Sequence, residues 1–378
     1  MTKPLRVCVT GFYATGSSAL IDLIKEYPDV HIAAPTEKDY EHTVLYSSGG
    51  LIDLGTILMN HCSPYNSDSA VFNFKALSRK LNNNNFGWFG SYRYYFGDDR
   101  FLRLTDELID NISTIKERTT ANHATKVGFS PIKAILQISA KIALGRNIPK
   151  LGRKYYYDSN TIYFAMPTET EFFKAAKRYT SEYMGLFESD NSKVEVFDHL
   201  LWPQHATLLD DYFEDNFKMI IVDRDPRDLY ILNKYYWHKP PVSTAKPYFP
   251  TEPQAFIDEW SRTVTAHQKS DRVLTIHFED LIYNYEKIVC DIERFLGLSG
   301  SEHNAFSIFV PDKSIENTQS FLVKDEWQDE VKEIEEQLAA YCYVFPFERI
   351  PDKSKWFDTQ DNATRRAKKQ ATLNGGSI

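Results

Sequence analysis

The stretch LRVCVTGFYATGSSALIDLIKEYP, Leu5 to Pro28, decides the fold. Leu5–Thr10 is short, apolar and β-branched, as a strand buried on both faces should be. Gly11 bounds it. From Ser17 the apolar residues Ala19, Leu20, Leu23 and Ile24 recur at helical spacing, and Pro28 stops the pattern. Strand, glycine-containing loop and helix thus follow in immediate succession. In GFYATGSS, Gly11 and Gly16 let the backbone turn tightly and aim N–H groups inward. A helix starting at Ser17 adds its positive end, and Ser17 and Ser18 add hydroxyl donors. Such a loop holds a phosphate, or is simply a strand–helix turn capped by Ser17. The spacing is that of a Walker-type loop, yet Ser17 stands where the Walker Lys would be, which argues against an ATPase or GTPase.

Outward from this stretch the pattern alternates. Strands are predicted at Val194–Phe197, Phe217–Val222 and Val273–Phe278. Helices are predicted in the second half of SSGGLIDLGTILMNH, after its Gly-Gly turn, from Pro226, across AFIDEWSRTVTAHQKS, across EDLIYNYEKIVCDIERFLGL with Gly297 as its stop, and across KDEWQDEVKEIEEQLAAYCYVF. Leu102–Ile115, Pro131–Leu144 and Glu171–Tyr183 also read as amphipathic helices. The expectation is an α/β fold, a three-layer sandwich with a central parallel sheet and a mainly helical insertion over about 71–190. One domain spans 1–358, and 359–378 forms a disordered tail. Ligands of such sheets bind beyond the C-terminal strand ends. Three places lie there: Gly11–Ser18, the pair Asp198–His199, and Asp223–Asp228.

Composition narrows the function. The 378 residues carry a net charge of −8, with 42% hydrophobic residues, enough for a sizeable core and without the broad cationic surface of a nucleic-acid binder. Cys8, Cys62, Cys290 and Cys342 are scattered, so neither a zinc site nor a disulfide framework is expected. No signal-peptide core and no long uncharged apolar run is read, and a reducing cytoplasm is the expected home.

A second motif, VDRDPRDLYIL, sets Arg224 directly after a strand, with Pro226 and Asp228 at the start of a helix. Arg224 is placed to fork onto a phosphate, or to join a salt-bridge cluster with Asp223, Asp225 and Arg227.

Together, GFYATGSSAL, VDRDPRDLYIL, IHFEDLIYNYEKIVCDIERFLGL and PDKSIENTQSFL resemble the nucleotide-dependent sulfotransferase family, in its bacterial, carbohydrate-type form. The resemblance implies a P-loop-like nucleotide-binding core and 3′-phosphoadenosine 5′-phosphosulfate as co-substrate, with no metal. It implies that Gly11, Thr15, Gly16, Ser17 and Ser18 hold the 5′-phosphosulfate. Arg224 would hold the 3′-phosphate, with Asn233, Lys313 and Ser314 assisting. Asp198 and His199 fall near the family's catalytic base; His205 and Glu37 are weaker candidates. Two positions depart from the family. Ala14 stands where a Lys or Arg supports the leaving phosphate, and Leu232 where a Ser meets the 3′-phosphate. Lys313, Lys126 and Arg227 are candidates for the missing cation. The acceptor expected is a hydroxyl of a carbohydrate, stacked on rings of Trp88–Arg100 or Trp237–Lys239. RRAKK, Arg365–Lys369, either touches anionic lipid at the inner membrane face or is solvated. A P-loop phosphotransferase and a non-catalytic nucleotide- or glycan-binding relative are the rival readings.

Overall fold

The computed structural model of the chain describes residues 3–12, 14–35, 40–61, 63–85, 88–119, 131–145, 160–189, 191–237, 250–264 and 270–356. The strands are β1 (Leu5–Gly11), β2 (Val30–Ile32), β3 (Ser113–Thr119), β4 (Asn160–Ala165), β5 (Val194–Asp198), β6 (Phe217–Asp223) and β7 (Val273–His277). The first helices are α1 (Ser17–Ile24), α2 (Leu51–Asn60), α3 (Pro64–Asn83), α4 (Tyr92–Phe96), α5 (Arg100–Ile112), α6 (Pro131–Leu144) and α7 (Glu169–Gly185). After them come α8 (Leu209–Tyr212), α9 (Pro226–Leu232), α10 (Pro253–Val264), α11 (Asp280–Tyr283), α12 (Tyr285–Leu296), α13 (Pro311–Ser314) and α14 (Gln328–Leu338). The chain packs as two units. One is Met1–His42 with Phe187–Asp210 and Glu214–Ile378; the other is Thr43–Leu186 with Asp211–Phe213.

The first unit is built on a five-stranded parallel sheet in the order β2-β5-β1-β6-β7. Val7 to Gly11 are all buried, so both faces of the central strand are covered, as a parallel sheet requires. One side of the core joins Val7, Val9, Val196 and Val222 to Leu20 and Leu23 of α1 and to Ile288, Val289, Ile292 and Leu296 of α12. The spacing of the α12 residues is that of one helical face, and Gly297 at φ 70 ends the helix as read from the sequence. A second cluster gathers Phe12, Leu229–Leu232, Phe256, Trp260, Trp327 and Ile334.

Two differences from the sequence reading have local causes. α1 ends at Ile24, short of Pro28, because the chain there tightens into 3₁₀-type bonds, the Glu26 N–H donating to the Leu23 carbonyl at 3.1 Å and the Tyr27 N–H to the Ile24 carbonyl at 3.2 Å. β2 has three residues, too few to give a period.

In the second unit, α7 opens with a capping box in which Thr168 and Glu171 satisfy each other's backbone. Tyr92 and Tyr183 meet hydroxyl to hydroxyl at 2.9 Å beside Phe101. Ile115, predicted in a helix, lies instead in β3, which pairs antiparallel with β4 from Ser113↔Ala165 to Thr119↔Asn160. The β-branched Thr114, Ile115 and Thr119 suit that ladder better than another helical turn. This unit begins at Thr43 and ends its main run at Leu186, where the sequence pattern drew an insertion over about 71–190.

Candidate functional site

The parallel register brings the C-terminal ends of β5, β1 and β6 to one edge: Val9 lies level with Asp198, and Gly11 with Val222. The loop from Gly11 to Gly16 leaves this edge and enters α1. Its shape demands both glycines. A Cβ at Gly11 would run into Thr15 Oγ1 and come within 2.7 Å of the Val222 carbonyl oxygen. Gly16 has φ +99, and a Cβ there would strike the ring of Phe278. The Thr15 N–H donates to the Phe12 carbonyl at 2.9 Å, closing a turn that holds Ala14 at φ 59. No side chain caps α1, since Gly16 occupies its N-cap. Thr15 Oγ1 is buried without a partner among the described residues. An uncapped helix start beside an orphaned hydroxyl fits an anionic ligand such as a phosphate. Ser17 is half-buried and Ser18 exposed, both in the first turn of α1.

Arg224 follows β6 and is almost wholly buried. Its Nη1 donates to the Ala14 carbonyl at 2.8 Å and its Nη2 to the Asn317 carbonyl. The Phe278 ring lies 4.8 Å below the guanidinium, so one ring packs against both Gly16 and Arg224. Nε has no partner among the described residues. Arg227 is fully engaged: it forks onto Asp225 at 2.7 and 3.0 Å, meets Glu335 at 2.8 Å and donates to the Tyr343 carbonyl at 3.1 Å. Asp225 also caps α9 by accepting from the Arg227 N–H.

Two further buried carboxylates complete this cluster. Asp228 accepts from the backbone N–H of Gln319 at 2.7 Å, and Glu279 from that of Asp225 at 3.0 Å. Burial pushes the Glu279 carboxyl up to about 8, with the Asp225 charge adding to it. Asp228 is also raised by burial, against the pull of Arg224. Sequence reasoning missed Asp228 and Glu279 as a pair around Arg224, because 51 residues of chain separate them. The only signal was the excess of acids flanking each arginine. Asp223, at the end of β6, is raised to about 6 by burial despite His277 across the ladder.

Asp198 ends β5 and His199 follows it at φ 49. The His199 N–H donates to the Val9 carbonyl at 3.0 Å, locking the residue against β1. Its Nδ1 lies 2.6 Å from Asp198 Oδ1, leaving Nε2 as the nitrogen without a partner among the described residues. Burial depresses the imidazole, but the charge and hydrogen bond of Asp198 outweigh it, and the net shift is upward. An imidazole oriented by a carboxylate, with its second nitrogen free, can accept a proton from a hydroxyl. The backbone on the far side is held too: the His42 N–H donates to the Asp198 carbonyl at 3.0 Å, and burial lowers the His42 imidazole to about 4.

The remaining sequence candidates fall as follows. Asn233 is buried one residue past α9, with Oδ1 unpartnered among the described residues. It lines a small apolar recess with Phe12, Phe256 and Trp260. Leu232 is fully buried beside it. Lys313 is exposed and Ser314 half-buried on α13, three or four residues before Asn317. His205 lies in a 3₁₀ helix, Pro203–Leu208, six residues after His199. Glu37, Lys126, His238, Lys239 and Arg365–Lys369 lie outside the described residues. No group of three or more His, Cys, Asp or Glu side chains converges as a metal requires among the described residues.

Residues 168–339 match the family model described as a sulfotransferase domain. Among solved structures, the sulfotransferase domain of the Synechococcus PCC 7002 olefin synthase is 13% identical. That match covers 91% of this chain and 96% of that one at a TM-score of 0.35. Sulfotransferase STF9 from Mycobacterium avium is 12% identical over 92% and 78%, with a TM-score of 0.37. A sulfotransferase from Alicyclobacillus acidocaldarius is 12% identical over 94% and 99%, at 0.33. At these TM-scores the superpositions are loose, and the fold assignment stands on the strand order and the loop. No curated protein matches the chain.

Proposed function

We propose that this chain, whose residues 168–339 match the sulfotransferase domain model, moves a sulfuryl group from 3′-phosphoadenosine 5′-phosphosulfate to a carbohydrate hydroxyl. One observation carries the reading: the Gly11–Gly16 loop, uncapped at α1, with Thr15 Oγ1 orphaned inside it. When bound, the donor supplies the sulfuryl group on its 5′-phosphate. The N–H groups of Ala14 and Gly16–Ser18 hold that anionic end and offset the charge that grows on the departing phosphate, the Thr15 N–H being taken by the Phe12 carbonyl. Thr15, Ser17 and Ser18 add hydroxyl donors. Arg224 lies on the 3′-phosphate side, its Nε without a hydrogen-bond partner among the described residues, with Asn233 nine residues after it and Lys313 and Ser314 just before its contact Asn317. Nε2 of His199 takes the proton of the acceptor hydroxyl while Asp198 holds the ring, so the oxygen attacks sulfur as the sulfur–oxygen bond to the phosphate breaks.

For the acceptor, the exposed rings of Trp88 and Tyr94 offer faces of the kind that stack on sugars. Cys8, Cys290 and Cys342 are free thiols, in keeping with a reducing cytoplasm.

A second reading has its own support. Both terminal nitrogens of Arg224 already serve carbonyls, Leu232 is buried where the family has a Ser, and Ala14 replaces the loop cation. A non-catalytic nucleotide- or glycan-binding relative would tolerate all three. Calorimetry with 3′-phosphoadenosine 5′-phosphate against ATP–Mg²⁺, followed by turnover of labelled donor on a glycan panel, separates the readings. Binding of the bisphosphate with turnover supports the enzyme. Binding without turnover on any glycan supports the relative. Preference for ATP–Mg²⁺ sinks the sulfotransferase reading.

A further inference from the structure

Helix α6 does not behave like the other long helices of the chain. Its large apolar side chains are all exposed: Ile132 by 70%, Ile135 by 62%, Ile142 by 81%, with Leu136, Ile138 and Leu144 above one half. On a helical wheel Ile135, Ile138 and Ile142 join Ile132 and Leu136 in one arc, with the small Ser139 and Ala143 between them. Lys141 lies outside that arc and is exposed. A monomer that leaves such a stripe in water has a use for it.

The place of the helix in the fold sharpens the point. β3 and β4 form a two-stranded ribbon whose last rung is Thr119↔Asn160. The forty residues between them leave and return at that rung, and α6 belongs to this excursion. From Arg118 to Lys154 the sequence has eight Lys and Arg and no Asp or Glu, in a chain of net charge −8. A strongly cationic run of sequence therefore coincides with the exposed apolar helix α6.

We propose that α6 docks on an anionic lipid bilayer, its Ile132–Ile142 stripe sunk at the headgroup boundary and the net positive charge of the Arg118–Lys154 run favouring the anionic surface. At about 1.5 Å per residue the fourteen residues are about 21 Å long, short of the roughly 30 Å hydrocarbon core, so the helix lies along the surface. No helix among the described residues is long and apolar enough to cross a membrane. A second copy of the chain fits the stripe less well, because it would bring two like-charged runs together.

The test is cosedimentation of the full chain with vesicles of phosphatidylcholine alone or mixed with phosphatidylglycerol. Binding to the mixed vesicles only, released by salt, is expected. Ile135→Asp combined with Ile142→Asp should weaken it on the order of tenfold or more, since each Ile removes several buried carbons. Both sites are exposed, so the thermal unfolding of that variant should match wild type. Arg365→Glu with Lys369→Glu, in the tail, should keep binding intact. The proposal is overturned by no binding to the mixed vesicles, by equal binding of the α6 variant, or by loss through the tail variant alone. A dimer in sedimentation velocity that the α6 variant dissolves overturns it too, by making a second copy the occupant.

Discussion

Arg224 Nη1 donates to the carbonyl oxygen of Ala14 across 2.8 Å, tying the residue after β6 to the loop after β1. Nη2 extends the tie to Asn317, and the ring of Phe278 supports the guanidinium from below. The arginine thus shapes the loop. It also balances Asp228 and Glu279, which are buried with it.

Removing that balance should be costly. Arg224→Met keeps bulk but removes the charge that pulls both carboxyls down and strips the Ala14 and Asn317 carbonyls of their donor, each buried acceptor left unmet costing about 1–3 kcal/mol. Urea denaturation should show this loss, and adding Glu279→Gln to the same chain should recover part of it. A double variant no more stable than Arg224→Met would mean that the two groups do not share charge.

Glu279 also fixes a pH dependence. Its folded carboxyl is raised to about 8, above the ordinary 4.5, so folding takes up a proton between those values. The stability it favours is full below about 4.5, falls as pH rises, and levels off above about 8. Asp223, raised to about 6, contributes with the same sign. Wild type should therefore lose stability from about pH 5 to about pH 8 in urea melts, and Glu279→Gln should flatten that slope. An unchanged slope would place the proton uptake elsewhere.

Gly16 joins the loop to the same ring. Gly16→Ala meets a positive φ and the Phe278 ring together, and the backbone conformation alone costs about 1–3 kcal/mol. Phe278→Leu in the same chain should relieve the collision and leave the backbone cost. Calorimetry should find bisphosphate binding weakened on the order of tenfold or more in Gly16→Ala, since the N–H groups turn with the loop. Wild-type affinity in that variant would remove the loop from the ligand.

The parts of this site that were readable in sequence are those carried by local chemistry. LRVCVT, GFYATG and the β6 strand before Arg224 each declare strand, turn and helix start within a few residues, and the parallel sheet follows from their alternation. What stayed hidden depends on contacts far apart in the chain. Asn317 supplies a carbonyl to Arg224 from 93 residues away, and Glu335 holds Arg227 from 108. β2 is too short to leave a period, and β3 shows as a strand only once β4 lies beside it.

His199 should report itself in the pH profile of sulfuryl transfer. A base must be neutral to act, and Asp198 holds the imidazole protonated to a pH above its ordinary 6.5. The rate kcat/KM should climb with pH to a plateau, with a midpoint above 6.5. Asp198→Asn withdraws the charge, so the midpoint should drop and the plateau should fall on the order of tenfold or more through loss of ring orientation. His199→Gln should abolish the titration. A profile with the same midpoint in His199→Gln would move the base to another residue.

The loop position of Ala14 allows a gain-of-function test. With no cation there, charge on the departing phosphate is met by N–H groups alone or by a residue outside the loop, of which Lys313 is the exposed candidate. Ala14→Lys restores a cation at that position. At φ 59 a Lys side chain tolerates the left-handed backbone at a cost of about 1–2 kcal/mol, which a stable fold survives. A fixed positive group near developing phosphate charge should raise kcat on the order of tenfold or more, with bisphosphate affinity little changed. If Lys313 already serves, Lys313→Ala should lower kcat and Ala14→Lys should rescue it in the same chain. A rate that Ala14→Lys leaves unchanged, in both the wild-type and the Lys313→Ala backgrounds, would mean that no cation at this loop assists the departing phosphate.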